Sequence, residues 1–430
     1  MNILIKNGNV YDSNERAFHK VDLLIKDNLI ASIGNSLDYP DCEVINAEGL
    51  FVLPGFIDIH CHLREPGEEE KETIHTGTRA AAKGGFTRVV AMANTTPPID
   101  RKSIYDTVSQ KIDKDALINV IQAGTITENL RGRELSSLLK EGILKVYSDD
   151  GKPISNSKVF MEALICAKEN NFLLILHEED KELSDDGLVN EGRVSIKFKM
   201  KGIPACAESS ILLRDLAIAN YIDYSVHFTH LSSGQTVEIL TPLKEEGFKF
   251  TTDVTPHHIF FDEDDIDPTD TSFKVNPPIR GVKDRLLLIK ALKNGIINCI
   301  ATDHAPHTKF EKSRDFSVAP FGISGFETAF SVSYTALVKD GFMSFEDFIP
   351  LITSAPAKIL NINNEGVISS LKKANLTIVS LESYVLNEDM LISKGKNNPF
   401  IGFELYGFPV LTICEGKIVH KETNFWNGFR

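Results

Sequence analysis

Eight apolar runs rich in β-formers alternate with helix-length segments through the middle of the chain. Polar residues gather just after nearly every run, and both chain ends read as short strands broken by turn signals. These three observations predict an α/β protein: a (β/α)8 TIM barrel with a small β-sandwich built from both ends. An open doubly wound sheet is the competing arrangement, but it gives no reason for polar residues to collect after so many strands.

At the start, Ile3–Ile5 precedes an Asn7-Gly8 turn signal. Val21–Ile25, Leu29–Ile33 and Glu43–Ile45 follow as strands, with Glu48-Gly49 closing the series. Leu50–Ile57 reads as one buried strand. At the other end Leu376–Leu381, Phe403–Leu405 and Val410–Cys414 read as strands, and Glu415-Gly416 as a hairpin turn into Lys417–His420. The expected division is a discontinuous β-sandwich domain, 1–53 with 361–430, around a catalytic barrel, 54–360. The barrel strands are expected at Phe56–His60, Arg88–Ala93, Ile118–Ala123, Leu144–Ser148, Leu173–His177, Ser225–His230, Lys249–Val254 and Asn298–Thr302.

Composition narrows the function. The chain of 430 residues is 42% hydrophobic, ample for a large core, and carries a formal charge of −14. That balance argues against a general nucleic-acid binder. The six cysteines are scattered with no C-x-x-C pair, as in a reduced cytoplasmic protein. No apolar run approaches the roughly 20 residues of a membrane span, and no signal peptide is expected. A small-molecule substrate, no nucleic acid and no membrane partner follow, and a homodimer is compatible with the sequence.

In a barrel, chemistry sits at the C-terminal strand ends. The first strand ends in His60 and His62, two apart and therefore on one side. The fourth leads to Asp149 and Asp150, the fifth ends at His177, the sixth at His230, and the eighth at Asp303 with His307 four residues on. Four of only twelve histidines thus terminate three strands. Imidazole and carboxylate donors suit Zn²⁺, with two ions expected. Two ions need a shared anionic ligand, and both Asp150 and a carboxylated Lys145 in the fourth strand are candidates. Metal binding lowers the pKa of water toward about 7, and Asp303 is placed to carry the proton to a leaving nitrogen. Arg64, Asn94, Asn276 and His307 are candidates for holding a carboxylate and amide edges. His257-His258 after the seventh strand read as supporting groups, and His227, three before His230, as structural.

The stretch 55–67, Gly-Phe-Ile-Asp-Ile-His-Cys-His-Leu-Arg-Glu-Pro-Gly, resembles the signature of the amidohydrolase superfamily, most closely the class I dihydroorotases. Also similar, in order, are Glu72–Gly77, Lys83–Thr87, Asn94–Pro97, Ser148–Gly151, Asn276–Arg280 and Ala301–His307, the last reading Ala-Thr-Asp-His-Ala-Pro-His.

The resemblance implies His60, His62 and Asp303 around one zinc, His177 and His230 around a second, and Asp150 shared. It implies Arg64, Asn94, Asn276 and His307 as substrate contacts, the Phe321-Gly322 backbone against a pyrimidine ring, and Asp303 as catalytic base. The implied reaction is reversible closure of N-carbamoyl-L-aspartate to L-dihydroorotate, in pyrimidine synthesis. Two features depart from or blur the pattern. Met92-Ala93-Asn94-Thr95 lacks the proline common in relatives, and Leu144–Tyr147 also resembles the segment of relatives with a carboxylated lysine. A hydantoinase or allantoinase activity on the same barrel is the alternative. An inactive homologue is a third reading, opposed by retention of all six ligand positions.

Overall fold

The computed structural model describes residues 2–362 and 364–428. Its centre is a ring of eight parallel strands: Phe56–Cys61, Phe86–Ala91, Asn119–Gln122, Val146–Tyr147, Leu173–Leu176, Val226–Phe228, Phe250–Val254 and Cys299–Ile300. Single parallel bridges, Gly124 to Tyr147 and Cys61 to His304, close the ring. All eight fall within or overlap the stretches expected from sequence. Ile59, Val90, Ala123, Val146, Ile175 and Cys299, from or just beyond six strands, form one buried cluster. Side chains from opposite sides of a ring can meet only inside it, so the interior is packed rather than open.

Helices cover the outside, and their ends are set locally. The helix Ile74–Lys83 begins at Thr73, whose Oγ1 accepts from Thr76 N at 3.1 Å while Thr73 N donates to Thr76 Oγ1 at 3.0 Å. This reciprocal cap fixes where the helix starts. Gly84 ends it and Gly85, at φ +89°, turns the chain into the second strand.

The chain ends form one eight-stranded sheet. Asn2–Asp12, Ala17–Lys26, Leu29–Gly34, Cys42–Asn46 and Phe51–Pro54 come from the start. Leu376–Val385, Glu404–Cys414 and Lys417–Lys421 come from the end. Their apolar faces share a second buried cluster, including Ile5, Leu23, Ile25, Val52, Ile378 and Ile413. The hairpin tips near its two ends touch. At φ +74°, Gly416 in the last hairpin lies so close to the turn after Ala17–Lys26 that a Cβ there would sit 2.6 Å from Asn28 Cα.

Three local expectations change. Asn7-Gly8 is not a turn: the first strand runs through it as a bulge, with Asn7 at φ 60° and its N–H donated to Asp22 Oδ1 at 2.9 Å. Leu50–Ile57 is not one strand. It divides at Gly55, whose N–H bonds Asn375 O, so Phe51–Pro54 joins the terminal sheet and Phe56–Cys61 the barrel. Phe403–Leu405 and Val410–Cys414 belong to one strand, Glu404–Cys414, which carries Pro409 through a register shift. Between Val385 and Glu404 the chain leaves the sheet. Leu391 and Phe400 pack there with Phe261, Phe273 and Phe316 of the barrel loops.

The six cysteines are all free. No described helix is long and apolar enough to cross a membrane.

Candidate metal centre

The C-terminal strand ends bring the six expected donors into one buried cluster. His60 Nε2 lies 3.4 Å from Asp150 Oδ1 and 3.6 Å from Asp303 Oδ1. His62 Nε2 lies 3.1 Å from Asp303 Oδ1 and 3.5 Å from Asp150 Oδ2. His177 Nδ1 and His230 Nε2 stand 3.5 and 3.7 Å from Asp150 Oδ1, and 2.9 Å from each other. Asp150 is therefore central, reached by all four imidazoles, and Asp303 sits on the His60 and His62 side. His60, His62 and Asp303 have donor atoms mutually close enough for one ion, as do His60, Asp150 and His230.

The surrounding hydrogen bonds set which nitrogen faces inward. Thr229 Oγ1 donates to Asp253 Oδ2 at 2.9 Å, so it can only accept from His60 Nδ1, 2.7 Å away. That leaves the lone pair of His60 on Nε2, which is buried with no hydrogen-bond partner. A bare acceptor aimed into a cluster of carboxylates fits a cation. His62 is held the same way: Asn94 Oδ1 accepts from its Nδ1 at 3.0 Å. Glu179 Oε2 accepts from His177 Nε2 at 3.0 Å, turning Nδ1 inward.

The electrostatics agree. Burial pushes His60 down, but the Asp150 carboxylate, with Asp303 behind it, outweighs burial and raises it to about 10. Burial likewise opposes, and Asp150 and Glu179 overcome, the shift of His177 up to about 9. Burial pushes Asp303 up, and its bond from His62 and the charges of His60 and His62 hold it below the usual carboxylate range. Where no ion stands between them the carboxylates thus draw a proton onto these rings, and the same field would favour a cation taking that proton's place on the inward nitrogen.

The cavity in front of the donors measures about 580 Å³. Arg64, Asn94, Asn276, Phe321 and Gly322 line it, together with His62, Asp150, His177, His230 and Asp303. Asn94 is committed on both sides, since its Nδ2 also donates to Asp150 Oδ2 at 2.9 Å. Asn276 Nδ2 donates to Glu179 Oε2 at 2.9 Å. His307 stands one layer back. Its Nε2 donates to Phe321 O at 2.8 Å, and Arg64 Nη2 lies 3.3 Å from the same nitrogen. Gly67, after Arg64, takes φ +94°, and a Cβ there would fall 1.8 Å from Thr96 O. Only glycine lets this loop close on the loop after the second strand.

The other polar residues divide as their positions suggest. Asp149 accepts from Ile126 N at 2.7 Å and from Thr127, fastening the loop after the third strand. His227 is buried and bonds Asp253 and Thr251. His258 bonds Thr255 and Pro277 O, bracing the loop that carries Asn276. Lys145 is exposed at the start of the fourth strand, its amine 5.6 Å from the Phe172 ring centroid. It lies at the N-terminal end of the ring, away from the donors.

Sequence reasoning missed Glu179, Thr229, Asp253 and Asn397. Glu179 follows His177 by two, the same spacing that links His60 to His62, and that signal was available. Thr229 and Asp253 gave none, because their role depends on neighbouring strands. Asn397, from the excursion between two terminal strands, donates to Ala305 O and Gly322 O and accepts from His307 N.

Two solved structures share this architecture. L-hydantoinase (dihydropyrimidinase) from Arthrobacter aurescens superposes with a TM-score of 0.87 at 22% identity, over 98% of this chain and 96% of that one. The dihydropyrimidinase from Brevibacillus agri gives 0.84 at 23%, over 98% and 95%. Fold and donor set together define a metal-dependent amidohydrolase barrel. Residues 49–236 match the family described as dihydro-orotase-like. The dihydroorotase of Bacillus cytotoxicus is 41% identical, covering 98% of this chain and 99% of its own length, and that of Carboxydothermus hydrogenoformans is 40% identical over 98% of each. The chain belongs to the dihydroorotase family.

Proposed function

We propose that the protein is a zinc-dependent dihydroorotase of pyrimidine synthesis, interconverting N-carbamoyl-L-aspartate and L-dihydroorotate. The observation that carries this is Arg64 in the wall of a cavity whose floor is the His/Asp cluster. A ring substrate bearing a free carboxylate needs such a cation, and a hydantoin does not.

His60, His62 and Asp303 would hold one zinc ion and His177 and His230 a second, with Asp150 available to both. The bare Nε2 of His60 supports this assignment, and the position of Lys145 favours Asp150 as the shared ligand. When bound, such ions supply Lewis acidity and lower the pKa of water. Arg64 takes the substrate carboxylate. Asn276 presents an amide edge, and the Phe321-Gly322 backbone faces the ring. Asn94 orients His62 and Asp150 beside the substrate. His307 holds the Phe321 carbonyl and abuts Arg64. In hydrolysis of the ring amide, Asp303 accepts the proton of the attacking water and returns it to the departing ring nitrogen. Ring closure runs the same path backward: the side-chain carboxyl, protonated from solvent, is attacked by the ureido nitrogen, and Asp303 takes the ureido proton and returns it to the departing hydroxyl, which leaves as water. The barrel, 54–360, carries this chemistry, and 1–53 with 361–430 form a supporting domain that also sends Asn397 to the site.

Steady-state turnover of dihydroorotate, hydantoin and allantoin by the zinc-loaded protein tests the reading. Dihydroorotate is expected to be the preferred substrate. Hydrolysis of hydantoin without dihydroorotate would overturn it.

A further inference from the structure

Beside the central cavity, and sharing no wall residue with it, is a second cleft of about 440 Å³. Lys309, Lys312, Lys394 and Lys396 line it, with His307 as its inner wall. In a chain with 60 acidic and 46 basic residues, four lysines in one cleft are expected to be neutralised by carboxylates. They are not. Lys312 Nζ donates to the carbonyls of Thr271 and Pro320, each at 2.9 Å, and of Lys274 at 3.4 Å, Lys394 to that of Glu69, and Lys396 to that of Glu388 at 3.4 Å. Among the described residues none of the four makes an ion pair. Two carboxylates, Asp270 and Glu388, border the cleft and leave it net positive.

Burial, with Lys274 nearby, pushes the Lys312 ammonium down to about 7 against the pull of Asp270 and Glu311, so an anion bound beside it would favour its charged form. We propose that this cleft is a binding site for a phosphate monoester: Lys309, Lys394 and Lys396 hold the phosphate, with the Lys312 charge behind them, and its volume accommodates an attached group of nucleoside size.

Calorimetric titration of the metal-loaded enzyme tests this with three probes: adenosine 5′-monophosphate, inorganic phosphate and adenosine. A nucleotide site binds the monophosphate more tightly than phosphate, a phosphate site binds the two alike, and either site ignores adenosine. In the double variant Lys309→Ala, Lys396→Ala, binding is expected to weaken by about tenfold or more, with dihydroorotate turnover in the absence of probe unchanged. Equal binding of adenosine, unaltered affinity in the double variant, or no binding of either phosphate probe would overturn the proposal.

Discussion

Thr229 Oγ1 stands 2.7 Å from His60 Nδ1, and its own hydrogen is committed to Asp253. One hydroxyl thus decides which nitrogen of His60 faces the donors. Replacing Thr229 with valine keeps the shape and removes the acceptor. The His60 ring then loses its fixed tautomer, and metal affinity is expected to fall by about 10–100-fold. Competition with a chelator of known affinity reads this directly. Unchanged affinity would show that the Thr229 bond does not govern His60.

Asp303 is held ionised against the pull of burial by His62 and His60. An amide at this position keeps the volume and loses the proton acceptor. Turnover of Asp303→Asn is expected to fall by about 10²–10⁴-fold, while part of the metal stays on the remaining five donors. Metal analysis alongside kinetics separates the two effects, and near-normal turnover would remove Asp303 as the base.

What the sequence revealed and what it hid have physical causes. The barrel strands were legible because short apolar runs recur with helical segments between them. The donors were legible because strand parity and strand ends place them. Backbone conformation was not. Arg64, His230 and Asp303 all take positive φ, 60°, 42° and 46°, a region that residues other than glycine seldom enter. The split of Leu50–Ile57 between two sheets was hidden for another reason. Both halves are equally apolar, and only the pairing of Gly55 N with Asn375 O, far along the chain, divides them. Asn397 was invisible because nothing near it in sequence marks a site.

Arg64 gives the substrate test its sharpest form. Its Nε donates to Pro306 O at 3.2 Å, fixing the guanidinium at the cavity wall. In Arg64→Gln, kcat/KM for dihydroorotate is expected to drop by about 10²-fold, chiefly through KM. Any residual hydrolysis of uncharged hydantoin should be unaffected. Equal loss on both substrates would mean that Arg64 supports the fold of the site rather than the carboxylate.

His307 should leave a mark on stability as pH falls. Burial, with Arg64, Lys312 and Lys71 nearby, holds it down to about 2, far below the usual 6.5. The unfolded chain binds a proton there that the folded chain refuses, so this contribution is complete above pH 6.5 and is lost as pH falls toward 2. Between pH 7.5 and 5 the loss is about 2 kcal/mol. In His307→Gln the fall in unfolding free energy over that interval should be smaller by that amount, measured from urea midpoints at the two pH values. An identical pH dependence in both proteins would show that His307 titrates normally.

The choice between Asp150 and Lys145 yields the last prediction. Asp150 Oδ1 lies within 3.7 Å of a ring nitrogen of His60, His177 and His230, and Oδ2 within 3.5 Å of His62. Lys145 is exposed at the opposite end of its strand, its amine over Phe172. A carboxylated lysine acts as a bridge only where its side chain reaches the ions, and this one faces away. Lys145→Met is therefore expected to keep its full metal content and turnover, with at most a small loss of stability from the cation–π contact, about 0.5–1 kcal/mol. Asp150→Asn should lose metal and turnover together, since four imidazoles then converge with one central charge removed. Metal analysis of the two purified variants decides it: loss of metal in Lys145→Met with retention in Asp150→Asn would reverse the assignment.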